Sequence, residues 1–264
     1  HLNNNKNFTF LQCDINNKDL IKKTFLNYKP RAIINFAAES HVDKSIISSE
    51  SFIHTNILGV HNLLEISREY WENLSSNKRE LFRFYHISTD EVYGDLKPDD
   101  LSFNEENSYL PNSPYSASKA SSDHLVRAWS KTYGLPILIS NCSNNYGPYQ
   151  YPEKLIPLCI NNALQNKKIP IYGDGKQIRD WIYVKDHCCA IREVLCKGRP
   201  GETYNIGGNN EKTNLEIVNT ICEILDELIP NKKYTTYKSL ITHVEDRLGH
   251  DRRYSVNTSK IKSE

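Results

Sequence analysis

Short apolar runs alternate with helical patterns along the first half of this chain, and that alternation restricts the fold more than any other feature of the sequence. Ala32–Ala38 (Ala-Ile-Ile-Asn-Phe-Ala-Ala) is a compact run that suits a strand covered on both faces. Phe8–Leu11, Leu81–Ser88 and Pro136–Asn141 are the other strand candidates. Between them lie helical stretches. One holds Leu20, Ile21 and Phe25; another holds Ile53, Ile57, Val60, Leu63, Leu64 and Ile66; a third covers residues 114–131. Strands separated by helices predict an α/β chain with a doubly wound, parallel sheet of the Rossmann type.

After Gly147-Pro148 the rhythm loosens into turn-rich pieces such as Tyr172-Gly-Asp-Gly175, and a soft boundary is placed there. Residues 1–148 would form the sheet domain. Residues 149–264 would form a smaller substrate-side region, with parts that return to the sheet. Thr213-Asn-Leu-Glu216 has the form of a capping box and opens a further helix that Pro230 ends. Charge excludes some partners: 33 basic and 32 acidic residues are mixed, net +1, without the basic stripe that nucleic acid binding needs. No apolar run approaches bilayer length, so a cytoplasmic chain with no membrane partner is expected. The seven cysteines show no CxxC pair and are read as buried free thiols, with no metal site.

Two local patterns carry chemistry. In Ser113-Pro-Tyr115-Ser-Ala-Ser-Lys119, Ser113 is a good N-cap and Pro114 suits the first helical position. Tyr115 and Lys119 then lie one turn apart on one face. A phenol with a pKa near ~10 is a poor base at neutral pH, and an adjacent ammonium is expected to lower that value. Taken alone, such a pair is more often a surface decoration of an amphipathic helix. The second pattern, Ser88-Thr89-Asp90-Glu91-Val-Tyr-Gly94, follows a strand candidate directly, where doubly wound sheets gather ligands. Asp90 and Glu91 are read either as a solvated turn or as a proton donor and acceptor whose surroundings split their pKa values.

The combination is specific. Asn35-Phe-Ala-Ala-Glu-Ser-His-Val-Asp43, Ser88–Gly94, the Tyr115/Lys119 helix and Asn141-Cys-Ser-Asn-Asn-Tyr-Gly-Pro148 resemble, in order and spacing, the extended short-chain dehydrogenases. Thr89-Asp90-Glu91 is similar to the signature of the dTDP-glucose 4,6-dehydratases within that family. The resemblance continues through Tyr151–Pro157, Pro170–Gly173, Gln177–Trp181, Tyr204–Gly208 and Asp246–Tyr254. It implies an NAD-dependent dehydration of dTDP-glucose to the 4-keto-6-deoxy sugar. Tyr115, supported by Lys119, would take the C4 hydroxyl proton, and Thr89 would hold that oxygen. Glu91 would take the C5 proton and Asp90 would protonate the departing C6 hydroxyl. For the cofactor the resemblance marks Asp14 and Ile15 at the adenine, Phe36, Ala37, Ala38, Ser40 and Thr55 along its length, and Tyr115, Lys119 and Asn145 near the nicotinamide. For the nucleotide sugar it marks Ser40, Thr89, Asn144, Lys154, Leu155, Pro170, Tyr172, Arg179, Asn214, Arg247 and His250, with Arg179 and Arg247 suited to a diphosphate. It also implies a homodimer built on the Tyr115 helix, whose Ala117, Ala120, Leu125, Val126 and Trp129 look like more apolar surface than one sheet contact needs, and on the helix around Ile57–Ile66.

The chain also departs from the family pattern. It contains no methionine and no G-x-x-G-x-x-G, the loop that seats a dinucleotide pyrophosphate on a helix N-terminus. The expectation is a fragment lacking the family's first βαβ unit and last helices, with an incomplete grip on NAD. Leu248 stands where the family has proline, and the loop between Leu96 and Ser113 is short. A nucleotide-sugar epimerase or decarboxylase of the same fold, or a non-catalytic protein, remain the alternatives.

Overall fold

The apolar runs pair side by side as parallel strands. In the computed structural model, which describes residues 5–231, 233 and 235–264, helix α1 (Lys18–Tyr28) leads to strand β1 (Ala32–Asn35) and helix α2 (Val42–Ile47). A continuous helical stretch follows: α3 (Glu50–Phe52), a π-helical segment (Ile53–Gly59) and α4 (Val60–Glu72). Then come α5 (Ser76–Leu81), β2 (Arg83–Thr89), a 3₁₀ turn (Asp90–Tyr93), α6 (Pro114–Tyr133) and β3 (Ile137–Cys142). The second half supplies β4 (Asn144–Tyr146), α7 (Leu155–Leu164), β5 (Ile169–Tyr172), β6 (Ile178–Tyr183) and α8 (Val184–Lys197). It ends with β7 (Thr203–Ile206), β8 (Glu211–Thr213), α9 (Asn214–Leu228), β9 (Ile241–Val244) and α10 (Ser259–Ser263).

The main sheet has the order β1-β2-β3-β7, all parallel. Asn35 pairs with His86, and Thr89 pairs with Cys142, so the carboxyl ends of the first three strands meet at one edge. Two small sheets, β4-β6-β8 and β5-β9, stand apart from it. Strand β7 lies beyond residue 148 yet completes the main sheet. The α/β class with a parallel Rossmann-type sheet is the one the alternation predicts.

Burial explains the packing. Leu64 and Val60 of α4, Val126 of α6, and Phe84, Ile137 and Ile139 of the sheet are all wholly buried and form one core cluster. Helix α9 begins with a reciprocal capping box: Glu216 N–H donates to Thr213 Oγ1 at 3.1 Å and Thr213 N–H donates to Glu216 Oε2 at 2.8 Å.

Several expectations need correction. Phe8–Leu11 forms no strand; Phe10 is exposed, and no described strand runs beside the segment to take its backbone groups. The β1 ladder stops at Asn35, and Ile34 is exposed because nothing described covers that face. Leu81 closes α5 instead of opening β2. On α6, Ala120 and Val126 are core residues, while Leu125 and Trp129 pack against the core, so the apolar surplus expected there is largely absorbed internally. Cys159 and Cys222 are buried and Cys13 and Cys142 partly so, but Cys188, Cys189 and Cys196 are exposed along α8. Among the described residues no helix is long and apolar enough to cross a membrane.

Leu64→Ala should lower unfolding free energy by about 2–5 kcal/mol, because the cavity it leaves is bounded by sheet and helix. Leu101→Ala, at a position 91% exposed, should change it by less than about 0.5 kcal/mol. Equal denaturation midpoints for the two variants would contradict this assignment of the core.

Candidate active site

The chain leaves β2 at Thr89 and turns at once. Thr89 Oγ1 accepts the Glu91 N–H at 3.3 Å, starting the 3₁₀ turn. Gly94 ends it at φ 90°, where a Cβ would lie 2.3 Å from the Leu110 carbonyl oxygen. This tight reversal keeps Asp90 and Glu91 inside. Asp90 is 2% exposed, and its Oδ2 has no hydrogen-bonding partner. Glu91 reaches a cleft, yet its Oε2 is also buried and unpartnered. The solvated-turn reading therefore fails for both.

Their surroundings differ. Burial raises the Asp90 pKa well above the usual carboxylate range, and the neighbouring Glu91 charge raises it further. Burial also raises Glu91, but Arg179, Arg247 and Lys154 oppose the shift. Asp90 is thus biased to hold a proton more strongly than Glu91 does.

Helix α6 brings the phenol alongside. Ser113 Oγ accepts the Ser116 N–H at 3.1 Å as the cap, and Ser45 Oγ on α2 accepts the Tyr115 N–H at 3.2 Å. The Tyr115 ring stands edge-on to Phe52, with centroids 6.4 Å apart. One expectation is overturned here. The Tyr115 pKa lies well above that of a free phenol, because burial and the Glu91 charge outweigh a hydrogen bond with Thr89. Lys119 does not offset this: its Nζ donates to the Ile87 carbonyl at 2.8 Å and lies 3.4 Å from His86 Nε2.

Above this floor lies a cleft of about 390 Å³, within the range of small-molecule sites. Ser40, Glu91, Asn144, Lys154 and Leu155 line one part of it. Pro170, Tyr172, Arg179, Asn214, Arg247 and His250 line the rest. Every residue expected at the sugar nucleotide is therefore gathered here except Thr89, which is buried below. The Arg179 guanidinium is fixed by the carbonyls of Ile178 at 2.7 Å and Asp251 at 3.0 Å and stacks over Tyr254. Arg247 Nη1 lies 3.6 Å from Asp43, and its Nε is buried without a partner. Lys154 Nζ donates across the cleft to the Ser40 carbonyl at 2.9 Å.

The remaining cofactor candidates do not line the cleft. Ile15 packs so closely on Gly59 that a Cβ there would lie 2.4 Å away, which seats the Asp14–Ile15 turn on the π-helical segment that also carries Thr55. Phe36 is exposed where the chain leaves β1, and the Ala37 N–H donates to Asn35 Oδ1 at 3.1 Å. Ala38 is half-buried beside them. Asn145 Oδ1 is held by His187 Nδ1 at 2.8 Å.

Sequence reasoning missed several lining residues. Asp43 accepts from the Tyr172 hydroxyl at 3.0 Å and faces Arg247; it ends the Asn35–Asp43 motif and was legible there. Trp181 and Tyr254 end two other motif stretches, while Glu153 carried no signal of its own beyond its place in Tyr151–Pro157.

The raised Asp90 pKa has a measurable consequence. The unfolded chain releases this proton near pH ~4, whereas the native state retains it to higher pH. Stability from this group is therefore fully present below pH ~4 and lost as pH rises towards the folded pKa. Asp90→Asn should melt at a higher temperature than the parent at pH 8 and at a similar temperature at pH 4. Matching melting curves at pH 8 would argue against a buried, costly carboxylate.

The comparisons with known proteins agree with this geometry. The family described as GDP-mannose 4,6 dehydratase matches residues 1–264. The dTDP-glucose 4,6-dehydratase of Neisseria meningitidis serogroup B is 57% identical over 260 residues, covering 98% of this chain and 73% of that protein. Among solved structures, a dTDP-glucose 4,6-dehydratase from Streptomyces venezuelae, a double mutant with NAD bound, superposes with a TM-score of 0.88 at 41% identity, over 100% of this chain and 75% of that one. The Bacillus anthracis dTDP-glucose 4,6-dehydratase in complex with NAD gives 0.83 at 46% identity, over 100% and 75% respectively. This chain belongs to the nucleotide-sugar 4,6-dehydratase family, with the dTDP-glucose 4,6-dehydratases as its relatives at more than half identity.

Proposed function

We propose that this chain carries the catalytic site of an NAD-dependent dehydration of dTDP-glucose to dTDP-4-keto-6-deoxyglucose. The observation that carries the reading is the unequal charge environment of the adjacent, buried Asp90 and Glu91 beside Tyr115. Epimerisation needs no acid–base pair for expelling water. A buried acid next to a carboxylate faced by three cations is what an elimination needs.

In this reading Tyr115 takes the proton of the C4 hydroxyl, and Thr89 hydrogen-bonds that oxygen. Burial and the Glu91 charge hold the phenol pKa high, so positive charge beside the ring would favour this step. NAD, held by the residues named below, would supply that charge and the hydride chemistry at C4 and C6. Oxidation at C4 acidifies the C5 hydrogen, which Glu91 removes. Asp90, protonated by virtue of its burial, gives its proton to the C6 hydroxyl as water leaves. Arg179 and Arg247 meet the diphosphate; Ser40, Asn144, Lys154, Leu155, Pro170, Tyr172, Asn214 and His250 shape the remainder of the cleft.

The residues present suit NAD at its two ends. Asp14, Ile15, Phe36, Ala37, Ala38 and Thr55 would hold the adenosine side, and Tyr115, Lys119, Ser40 and Asn145 the nicotinamide side. Support for the latter comes from Glu91 Oε2, buried and unpartnered, which a cationic ring would balance. The sequence has no glycine-rich turn for the pyrophosphate. A boundary near residue 148, a cytoplasmic setting and a homodimer belong to the same reading. The half-exposed Ile53 and Leu58, on the π-helical segment against α6, supply apolar surface for the dimer.

Full-length enzyme given dTDP-glucose and NAD should release the 4-keto-6-deoxy product with the C4 hydrogen moved to C6. A product inverted at C4 with its C6 hydroxyl intact would end this reading. Asp90→Asn should slow water loss by roughly 10²–10⁴ while C4 oxidation continues, so reduced cofactor accumulates and absorbs in the near ultraviolet. Glu91→Gln should suppress exchange of the C5 hydrogen with solvent. Sedimentation of the full-length protein as a monomer at micromolar concentration would remove the dimer.

A further inference from the structure

Tyr115 and Lys119 stand one turn apart on α6, and Asp123 continues the same line one turn further. Asp123 is wholly buried, and no step of the reaction above uses it. A buried carboxylate is costly unless paired, and this one is only partly satisfied. Its Oδ2 accepts from Ser88 Oγ at 2.8 Å and from Asn141 Nδ2 at 3.4 Å. Its Oδ1 has no well-aligned hydrogen bond and faces His86 Nε2 at 3.4 Å.

The proton on His86 can be assigned from its neighbours. The Ala37 N–H donates to Asn35 Oδ1 at 3.1 Å, which turns the Asn35 amide nitrogen towards His86 Nδ1, also at 3.1 Å. Nδ1 is therefore the acceptor, and Nε2 carries the hydrogen. That Nε2 lies 3.4 Å from Lys119 Nζ and 3.2 Å from Ser122 Oγ. A protonated Nε2 cannot accept from an ammonium. Burial and the Lys119 charge hold the His86 pKa well below its ordinary value, so the ring stays neutral between a cation and an anion.

We propose that Asp123 is the counter-ion of the Lys119 ammonium, a positioning residue that keeps Lys119 charged behind Tyr115 across the intervening His86. The charge pairing stands on the geometry alone; its use in catalysis rests on the dehydratase reading.

The groups facing this pair are few. Lys119 meets Asp123 on its own helix, His86 from β2 and Cys142 from β3. Burial lowers the Lys119 pKa, and the Asp123 charge is the strongest influence raising it. The Cys142 thiol is pushed up to about 12 by burial and stays neutral, which leaves Asp123 as the anion of the set. Asp123 in turn faces Tyr109 and Arg127; burial raises its pKa to about 6, against the opposing Lys119 charge. Above that pH the ion pair is complete.

The sign of the effect follows. Removing the Asp123 charge lowers the Lys119 pKa, so a step that needs the ammonium fails at lower pH. The test uses full-length enzyme labelled at lysine ¹³Cε, with the Lys119 resonance assigned by its loss in Lys119→Arg. In Asp123→Asn the Lys119 resonance should titrate about one pH unit lower or more. The alkaline limb of kcat/KM should move down with it, while KM for dTDP-glucose stays within twofold. Asp123→Glu should restore both. Should the Asn variant not fold, Asp123→Ser carries the same expectation. An unmoved Lys119 titration, or a uniform loss of kcat with an unchanged pH profile, overturns the pairing. Absence of keto-sugar formation by the parent would sink the dehydratase reading alone, because the titration is read without turnover.

Discussion

Exclusion of water from ionisable groups at the carboxyl ends of β2 and β3 is the constraint on which the rest of this structure depends. Asp90, Glu91, Tyr115, Lys119 and Asp123 all have their proton affinities shifted first by burial and only then by charge. In water Asp90 would be ionised at neutral pH and unable to donate a proton, and burial reverses that; for Glu91, Lys119 and Asp123 burial works against the charged form and neighbouring charges oppose it. Placing them there has a stability cost of the kind that buried charge always carries. The apolar cluster that Leu64, Val60 and Val126 form with the sheet offsets that cost.

The cleft above is built differently. Its cations stay near the surface of a cavity and are aimed by hydrogen bonds to main-chain carbonyls, as for Arg179. These fixed guanidinium and ammonium groups serve two ends. They suit the anionic diphosphate, and they oppose the rise in the Glu91 pKa that burial alone would cause. In the proposed function, one set of residues thereby couples substrate recognition to the protonation state of the candidate base.

The depressed phenol pKa expected from a Tyr-x-x-x-Lys pair does not occur in this fold. Helical spacing places Lys119 on the Tyr115 face, but the direction of its ammonium is set by the Ile87 carbonyl and by the charge beyond His86. The two residues share a face, and burial together with the Glu91 charge dominates the phenol.

Much was legible in the sequence. Periodicity marked helices through Leu20–Phe25, Ile53–Ile66 and 114–131, and the residues expected at the sugar nucleotide gather in the cleft apart from Thr89, because local spacing and residue type are encoded in the chain itself. Other features were decided by the tertiary structure. Phe8–Leu11 has strand composition but no neighbour to pair with, and strand formation needs a partner that sequence alone does not supply. The split between Asp90 and Glu91, the height of the Tyr115 pKa and the Asp123–His86–Lys119 line arise from desolvation and from charges that the fold gathers, Arg179 and Arg247 beside Glu91 among them. Those are properties of a three-dimensional environment, and a one-dimensional pattern names the groups without fixing the field in which they sit.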